Sequence, residues 1–296
     1  MRKSRFDFWF DIVIYVVLGL VLFIIAYPLY FVTIASLSDP IEVTSGRVMF
    51  YPIKFNFDSY KKVLEYKEIW IGYRNTIIYT TGYTFLSVAI TLMAGYALSY
   101  KKLLGRNIIM AYMVFTMFFS GGLIPTYLLV RSLRLIGNPI VIIVLGSVNV
   151  YNIIIARTFI QSTIPNELFE AASMDGCGHI RFFFSVVLPL SPALIAVMVL
   201  FAAVTQWNSW FNAMIYLNRR ELMPLQMVLR DIIVSQATFL KEMAVDILGE
   251  DFAREALLAE TMKYAVIIVA SLPILALYPF LQKYFVKGIM IGSLKQ

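Results

Sequence analysis

The sequence predicts an all-α, polytopic membrane protein with six transmembrane helices, on three observations. Hydrophobic residues make up 60% of the 296-residue chain and charged residues 15%, with a mean hydropathy of +0.78. A soluble globule of that composition would expose too much apolar surface. The apolar residues fall in runs of about twenty, the length that crosses about 30 Å of hydrocarbon at 1.5 Å rise per residue. Within the runs they do not alternate with period two, as a strand-built barrel requires.

The runs lie at roughly 12–36, 75–100, 108–130, 139–160, 186–206 and 264–282. The first is too long for the apolar core of a signal peptide and no small-residue cleavage site follows it, so it reads as a retained span. Arg2, Lys3 and Arg5 precede that span, and Lys101, Lys102 and Arg106 fill the short second loop. The positive-inside rule places both on the cytoplasmic side. Residues 1–11 then form a cytoplasmic tail before a membrane-embedded body at 12–296. The loops at 37–74, 131–138 and 207–263 face outward, while the loop at 161–185 and the tail at 283–296 face the cytoplasm. Span-flanking cations account for the net charge of +7 without nucleic acid as a partner. The single cysteine, Cys177, excludes an intrachain disulfide.

Polar residues inside spans are costly and read either as interhelical glue or as a cargo path. Thr80, Thr81, Thr84, Ser87 and Thr91 recur along the second run, and Asn149 and Asn152 interrupt the fourth. Trp207, Trp210 and Tyr216 close the fifth, as an interfacial aromatic belt or as a stacking platform for a ligand ring. In the outer loop, Leu222, Leu225, Leu229, Ile232 and Ile233 have helical spacing, and Arg219 and Arg220 could attract anions. Asp246, Glu250, Asp251 and Glu255 lack calcium-loop spacing and read as a solvated face.

The loop at 161–185 is the most ordered polar stretch. Ser162 or Thr163 can cap a helix there, Pro165 suits its first turn, and Glu167 favours its N-terminal dipole end. The helix is expected to run about eleven residues to Asp175, where Gly176 can take the left-handed conformation that ends it. Leu168, Ala171, Ala172 and Asp175 are expected on one face, the alanines permitting close approach, with Glu170 on its flank for a cationic partner. A second segment from His179 to Leu188 re-enters the membrane at Pro189. A docking surface and a plain interfacial loop both fit. No Gly-x-x-x-x-Gly-Lys-Ser/Thr loop is present, so no nucleotide site is expected on this chain. Cys177 and His179 cannot complete a four-ligand zinc site, and no catalytic or metal residues are assigned.

The pattern Glu170-Ala171-Ala172, three residues, Gly176, nine residues, then Val186, Leu188 and Pro189 resembles the signature loop of binding-protein-dependent ABC importer permeases. Asp175 before the glycine is also usual there. Ala97-Leu98-Ser99, Trp207-Asn208 and the stretch from Tyr278 to Gly288 resemble the carbohydrate branch. The stretch from Phe119 to Tyr127 and Ala259-Glu260-Thr261 resemble its complex-oligosaccharide subgroup, related to the six-span maltose permease subunit. The resemblance implies a type I permease in a bacterial cytoplasmic membrane, importing an oligosaccharide brought by an extracytoplasmic binding protein. It implies a second homologous permease subunit and two copies of a cytoplasmic ATPase, which use ATP and Mg while this chain binds no cofactor. Glu170, Ala171, Ala172, Asp175, Gly176, Leu188 and Pro189 would form the coupling surface. Asn149, Asn152, Thr84, Ser87 and Trp207 are candidates for the cargo path. In the maltose system the tail of the matching subunit reaches between the ATPases, and Gly288 to Gln296 has a compatible position and length. An ion-coupled secondary transporter and a polytopic membrane enzyme are the alternatives. The first would need repeats about a midplane site, and the second paired acids or a metal set.

Overall fold

In a computed structural model the described residues are 5–243, 257–258, 261–276 and 279; among them every regular element is helical. The chain divides into two compact units, residues 1–70 with 228–272 and residues 71–227 with 273–296.

The first unit opens with α1 (Arg5–Ser36), whose most apolar eighteen-residue window has no buried residue. A stretch apolar on every face and left uncovered by the described residues suits lipid. Its polar extension is compact. Asp39 caps α2 (Pro40–Thr44) by accepting from Ile41 N–H at 3.0 Å. Behind that turn Glu42 is buried, paired with Arg47 and Lys54, both at 3.0 Å. α3 (Asp58–Glu65) follows, and the Ser59 hydroxyl lies 3.2 Å from that of Thr261.

The second unit is organised around α4 (Lys67–Ser99), which begins eight residues before the expected span at 75. The expected span at 108–130 is not one straight helix. α5 (Arg106–Phe118) and α6 (Leu123–Ser132) meet at 112° across Phe119–Gly122, where Gly122 takes φ +83°. The run at 139–160 is likewise divided, into α7 (Ile140–Val144) and α8 (Val150–Thr163), with Gly146 at φ +82° between them. The loop helix α9 (Asn166–Met174) follows, then α10 (His179–Phe182), which passes into a π-helical turn at Phe183–Val187. α11 (Pro192–Trp207) leaves this stretch at 90°, so the run at 186–206 is also bent. Apolar composition runs straight through these breaks, but left-handed glycines and helix-starting prolines interrupt the backbone ladder.

α12 (Phe211–Tyr216) joins α4, α6 and α7 in a cluster built on Tyr79, Val130, Val141, Ile142 and Tyr216. The chain after it is strapped to the start of α4. Asn75 donates to the carbonyls of Glu221 and Met223, and Leu225 N–H donates to the Thr76 hydroxyl at 2.8 Å. The outer-loop helix expected from leucine spacing is α13 (Leu225–Met243). Leu225, Leu229 and Ile232 are buried in it, whereas Ile233 faces out and Leu222 precedes the helix. α14 (Thr261–Ala276) occupies the described part of the sixth run. Among the described residues two helices, α1 and α4, are long and apolar enough to cross a membrane, or four if each bent pair is one span. Arg2, Lys3, Asp246, Glu250, Asp251, Glu255, Ala259, Glu260 and the tail at 283–296 lie outside the described residues.

Candidate functional site

The loop after α8 presents a short helix on an aromatic mount. α8 continues through Thr163, so Ser162 and Thr163 end that helix instead of capping the next, a correction to the sequence reading. Ile164 is buried and turns the chain, and Pro165 stands just outside α9 as its N-terminal boundary with ψ 145°. α9 has nine residues, about 14 Å at 1.5 Å each. Its end is a Schellman turn: Cys177 N–H donates to Ala172 C=O at 2.9 Å and Gly176 N–H to Ser173 C=O at 3.0 Å. Gly176 at φ +77° makes that geometry inexpensive, as its sequence position predicts.

Which face of α9 points outward differs from the expectation. Phe169, Ala172 and Cys177 pack on a buried cluster formed by Leu92, Ala156, Ile160, Phe182, Val187 and Met198, drawn from α4, α8, the α10 stretch and α11. Ala172 therefore faces this chain's own core and does not share an outer face with Leu168, Ala171 and Asp175. The exposed side carries Glu167, Leu168, Glu170, Ala171, Asp175 and Met174, which is 89% exposed.

Phe169 is the anchor that sequence reasoning missed. Its ring stacks on His179 at 4.5 Å and 17°, and meets Tyr100 at 5.4 Å and Phe182 at 5.1 Å edge to face. His179 in turn lies 4.9 Å from the Tyr100 ring, with Nδ1 3.1 Å from the Tyr96 hydroxyl. The lone histidine thus joins α4, α9 and α10. Cys177 Sγ lies 3.7 Å from the Gly178 carbonyl, and no group of three metal-binding side chains occurs among the described residues. Gln161 also donates to the Ser99 carbonyl at 3.1 Å, closing α8 onto the end of α4.

Glu170 has a partner inside the chain: Lys102 Nζ lies 3.8 Å from its Oε1, and the two side chains are 66% and 74% exposed. An exposed pair of this kind contributes about 0–1 kcal/mol, so Glu170 remains open to exchange for another cation. At the other end of the motif, Val187 is buried and Leu188 half-buried, with Leu188 N–H bonded to Phe183 C=O in the π turn. Pro189 is exposed at the bend before α11.

The polar residues of the expected spans do not all line one cavity among the described residues. Thr84 and Trp207 line a cavity of about 440 Å³ together with Thr80, Phe85, Val199 and Pro273. The Oγ1 atoms of Thr80 and Thr84 are buried there with no hydrogen-bond partner. Ser87 and Asn152 are buried but do not line the cavity. Asn149 is outside it too: its side chain caps α8 by accepting from Asn152 N–H at 3.1 Å. The aromatic-belt reading fails for Trp207, 6% exposed and edge-on to Tyr73, and for Tyr216, stacked on Tyr127 in the core. Trp210 alone of the three is open, and Arg219 and Arg220 are exposed.

No protein-family model matches the chain. It is 39% identical over 290 residues to the polygalacturonan/rhamnogalacturonan transport system permease protein YtcP of Bacillus subtilis (strain 168), covering 97% of this chain and 98% of that one. It is 37% identical to Protein LplC of the same organism over 296 residues, covering 100% of this chain and 98% of LplC. Among solved structures it matches a chain of a bacterial ABC transporter involved in the import of the acidic polysaccharide alginate. There the TM-score is 0.85 at 34% identity, over 96% of this chain and 99% of that one.

Proposed function

The chain belongs to the permease subunits of carbohydrate ABC transport systems, and from that premise we propose that it couples to its ATPase through α9 and imports an acidic oligosaccharide. Like its relatives it is a permease subunit and not an enzyme, and ATP hydrolysis belongs to a separate ATPase. In the proposed arrangement the chain is multi-pass in a bacterial cytoplasmic membrane. It crosses six times with both termini inside, and the bent pairs and the α7–α8 pair each count as one crossing. The permease body is 12–296, with 37–74 and 207–263 outside and 161–185 inside.

The observation that carries the coupling role is the two-sidedness of α9. Its inner face is fixed by Phe169 and Ala172 to a cluster shared by α4, α8 and α11, while Glu170 and Ala171 are exposed. A helix so mounted passes a push from outside to three long helices at once. Glu170 would leave Lys102 for a cation in the ATPase cleft, and Ala171 would allow close approach. Asp175 and Gly176 end the helix, and Leu188 and Pro189 carry the motion into the bend before α11. A second homologous permease, two ATPase copies using ATP and Mg, and an extracytoplasmic binding protein complete the assembly.

The acidic cargo rests on the substrates named for two relatives, polygalacturonan/rhamnogalacturonan and alginate. The exposed Arg219 and Arg220 suit attraction of uronates. Thr84 and Trp207 are the residues we place on the cargo path, because of the five candidates only these two line the cavity, with Thr80 and Thr81 beside them. Ser87, Asn149 and Asn152 are left with structural roles.

The test is Glu170→Ala in the assembled transporter. Within this chain the substitution removes an exposed pair worth about 0–1 kcal/mol. Breaking a desolvated pair with the ATPase costs about 3–5 kcal/mol, a few hundredfold or more in one-site affinity. Normal membrane abundance with weakened ATPase association and collapsed uptake is expected. Ala171→Leu should act alike by steric block. Parental uptake by both variants would remove α9 as the coupling surface.

A further inference from the structure

The start of α5 collects two guanidiniums that no carboxylate among the described residues balances. Arg106 is the first residue of α5, after Gly105 at φ +74°; the helix has no side-chain cap and no acid in its first turn. Cations at that end oppose the helix dipole, and the first N–H groups lack intrahelical acceptors. Lys101 and Lys102 precede it in the same loop, with Lys102 already paired to Glu170.

Arg157 reaches the same place from α8. Met110 of α5 and Ile153 of α8 share one buried cluster. Arg106 lies one turn before Met110 and Arg157 one turn after Ile153, so both project to the same end of that contact. Arg106 Nη1 and Arg157 Nε are buried without a hydrogen-bond partner, and no carboxylate pairs with either among the described residues. Two neighbouring guanidiniums with unsatisfied buried donors call for an anion.

The surroundings say which anion. A cavity of about 300 Å³ opens here, lined by Lys101, Leu103, Gly105, Arg106, Asn107 and Ile108. From it an apolar stripe runs along α5 through Ile108, Tyr112 and Phe115, all exposed, and Leu104 beside it is 92% exposed. We propose that this cavity binds the phosphodiester of an anionic phospholipid. Arg106 and the uncapped N–H groups of α5 hold the phosphate, Arg157 adds charge from behind, and an acyl chain follows the Ile108–Tyr112–Phe115 stripe. Guanidinium forks match phosphate oxygens, and basic pockets at membrane-helix ends recognise anionic headgroups. A soluble phosphate would leave the stripe bare. The site depends on the chain lying in a bilayer and not on the coupling role of α9, so the two readings fail separately.

The full chain, purified in detergent and stripped of lipid, can be titrated with phosphatidylglycerol, with phosphatidylcholine of the same acyl chains, and with inorganic phosphate, bound species being read by native mass spectrometry. Phosphatidylglycerol should be retained over phosphatidylcholine. Arg106→Gln and Arg157→Gln should each weaken it roughly tenfold, the loss expected for a charge-assisted hydrogen bond, with Arg131→Gln unchanged. Helicity by circular dichroism shows which variants have folded, and either arginine variant alone suffices. Equal retention of the two lipids, or wild-type retention by a folded arginine variant, overturns the proposal. Inorganic phosphate binding as tightly as phosphatidylglycerol overturns the lipid as its source. Release of bound phosphatidylglycerol on adding the second permease overturns it in favour of a protein carboxylate.

Discussion

If α9 transmits force through its aromatic mount, Phe169→Ala should uncouple the transporter while leaving the outer face of the helix intact. Phe169 is half-buried and contacts three rings, His179, Tyr100 and Phe182. Truncating a fully buried phenylalanine costs about 3–5 kcal/mol. Half that loss, with part of the 0.5–1.5 kcal/mol that each well-formed aromatic pair adds, comes to about 2–3 kcal/mol. The equilibrium between docked and loose α9 then shifts roughly 30- to 150-fold. Glu170 and Ala171 are untouched, so the ATPase should still bind and hydrolyse ATP, but hydrolysis should respond less to the loaded binding protein. Uptake into proteoliposomes should fall at least tenfold, on the order of the docking loss, and amide exchange across 166–176 should accelerate. Phe169→Leu keeps apolar volume without the stacking and should fall between. Parental uptake and unchanged exchange in Phe169→Ala would show that the mount is not what transmits the stroke.

Gly95 permits α4 to touch α8: a Cβ there would lie 2.7 Å from Ala156 Cβ and 3.1 Å from Arg157 N. Gly95→Val should therefore cost about 1–3 kcal/mol by overpacking, read as lower thermal stability in detergent, while Gly19→Val, with nothing within 4 Å, should not. Thr84→Val deletes an unpartnered buried hydroxyl, so stability should hold or rise; reduced uptake would then assign the cavity to the cargo path, and parental uptake would remove it. In a Cys177→Ser background, cysteines at Lys102 and Asn166 should resist an impermeant thiol reagent in intact cells while one at Asp58 reacts, and the reverse pattern would invert the topology. The Lys54 hydrogen bond, helped by the charges of Arg47 and Lys54 and opposed by burial, holds the Glu42 carboxyl below its ordinary value. Because the folded value is the lower one, this contribution is complete above the unfolded value of about 4.3 and is lost as pH falls through the folded value. Proteolysis at 37–57 should rise below that point, and Glu42→Gln should abolish the dependence.

The helical membrane class, the loop motif and the glycine that ends α9 were legible in the residues. Composition and run length answer to the thickness of hydrocarbon, and a Schellman turn needs only local chain chemistry, so Gly176 behaves as its position predicts. The absence of a nucleotide-binding loop likewise pointed to an ATPase in trans. The faces of the helices were not legible. Lipid is as apolar as a protein core, so hydrophobic periodicity in a span does not mark its buried side. Ala172 turned inward, Trp207 left the supposed interfacial belt, and Asn149 proved to be a helix cap for that reason. The breaks at Gly122 and Gly146 were hidden by the same uniform hydropathy, because a bend changes the backbone without changing its solvent preference. The Lys102–Glu170 pair, the seat of Phe169 on His179 and the approach of Arg106 to Arg157 join residues at least ten positions apart. Only the packing of α4, α5, α8, α9 and α10 brings them together, since contacts between separate helices depend on how those helices cross, which no local pattern records.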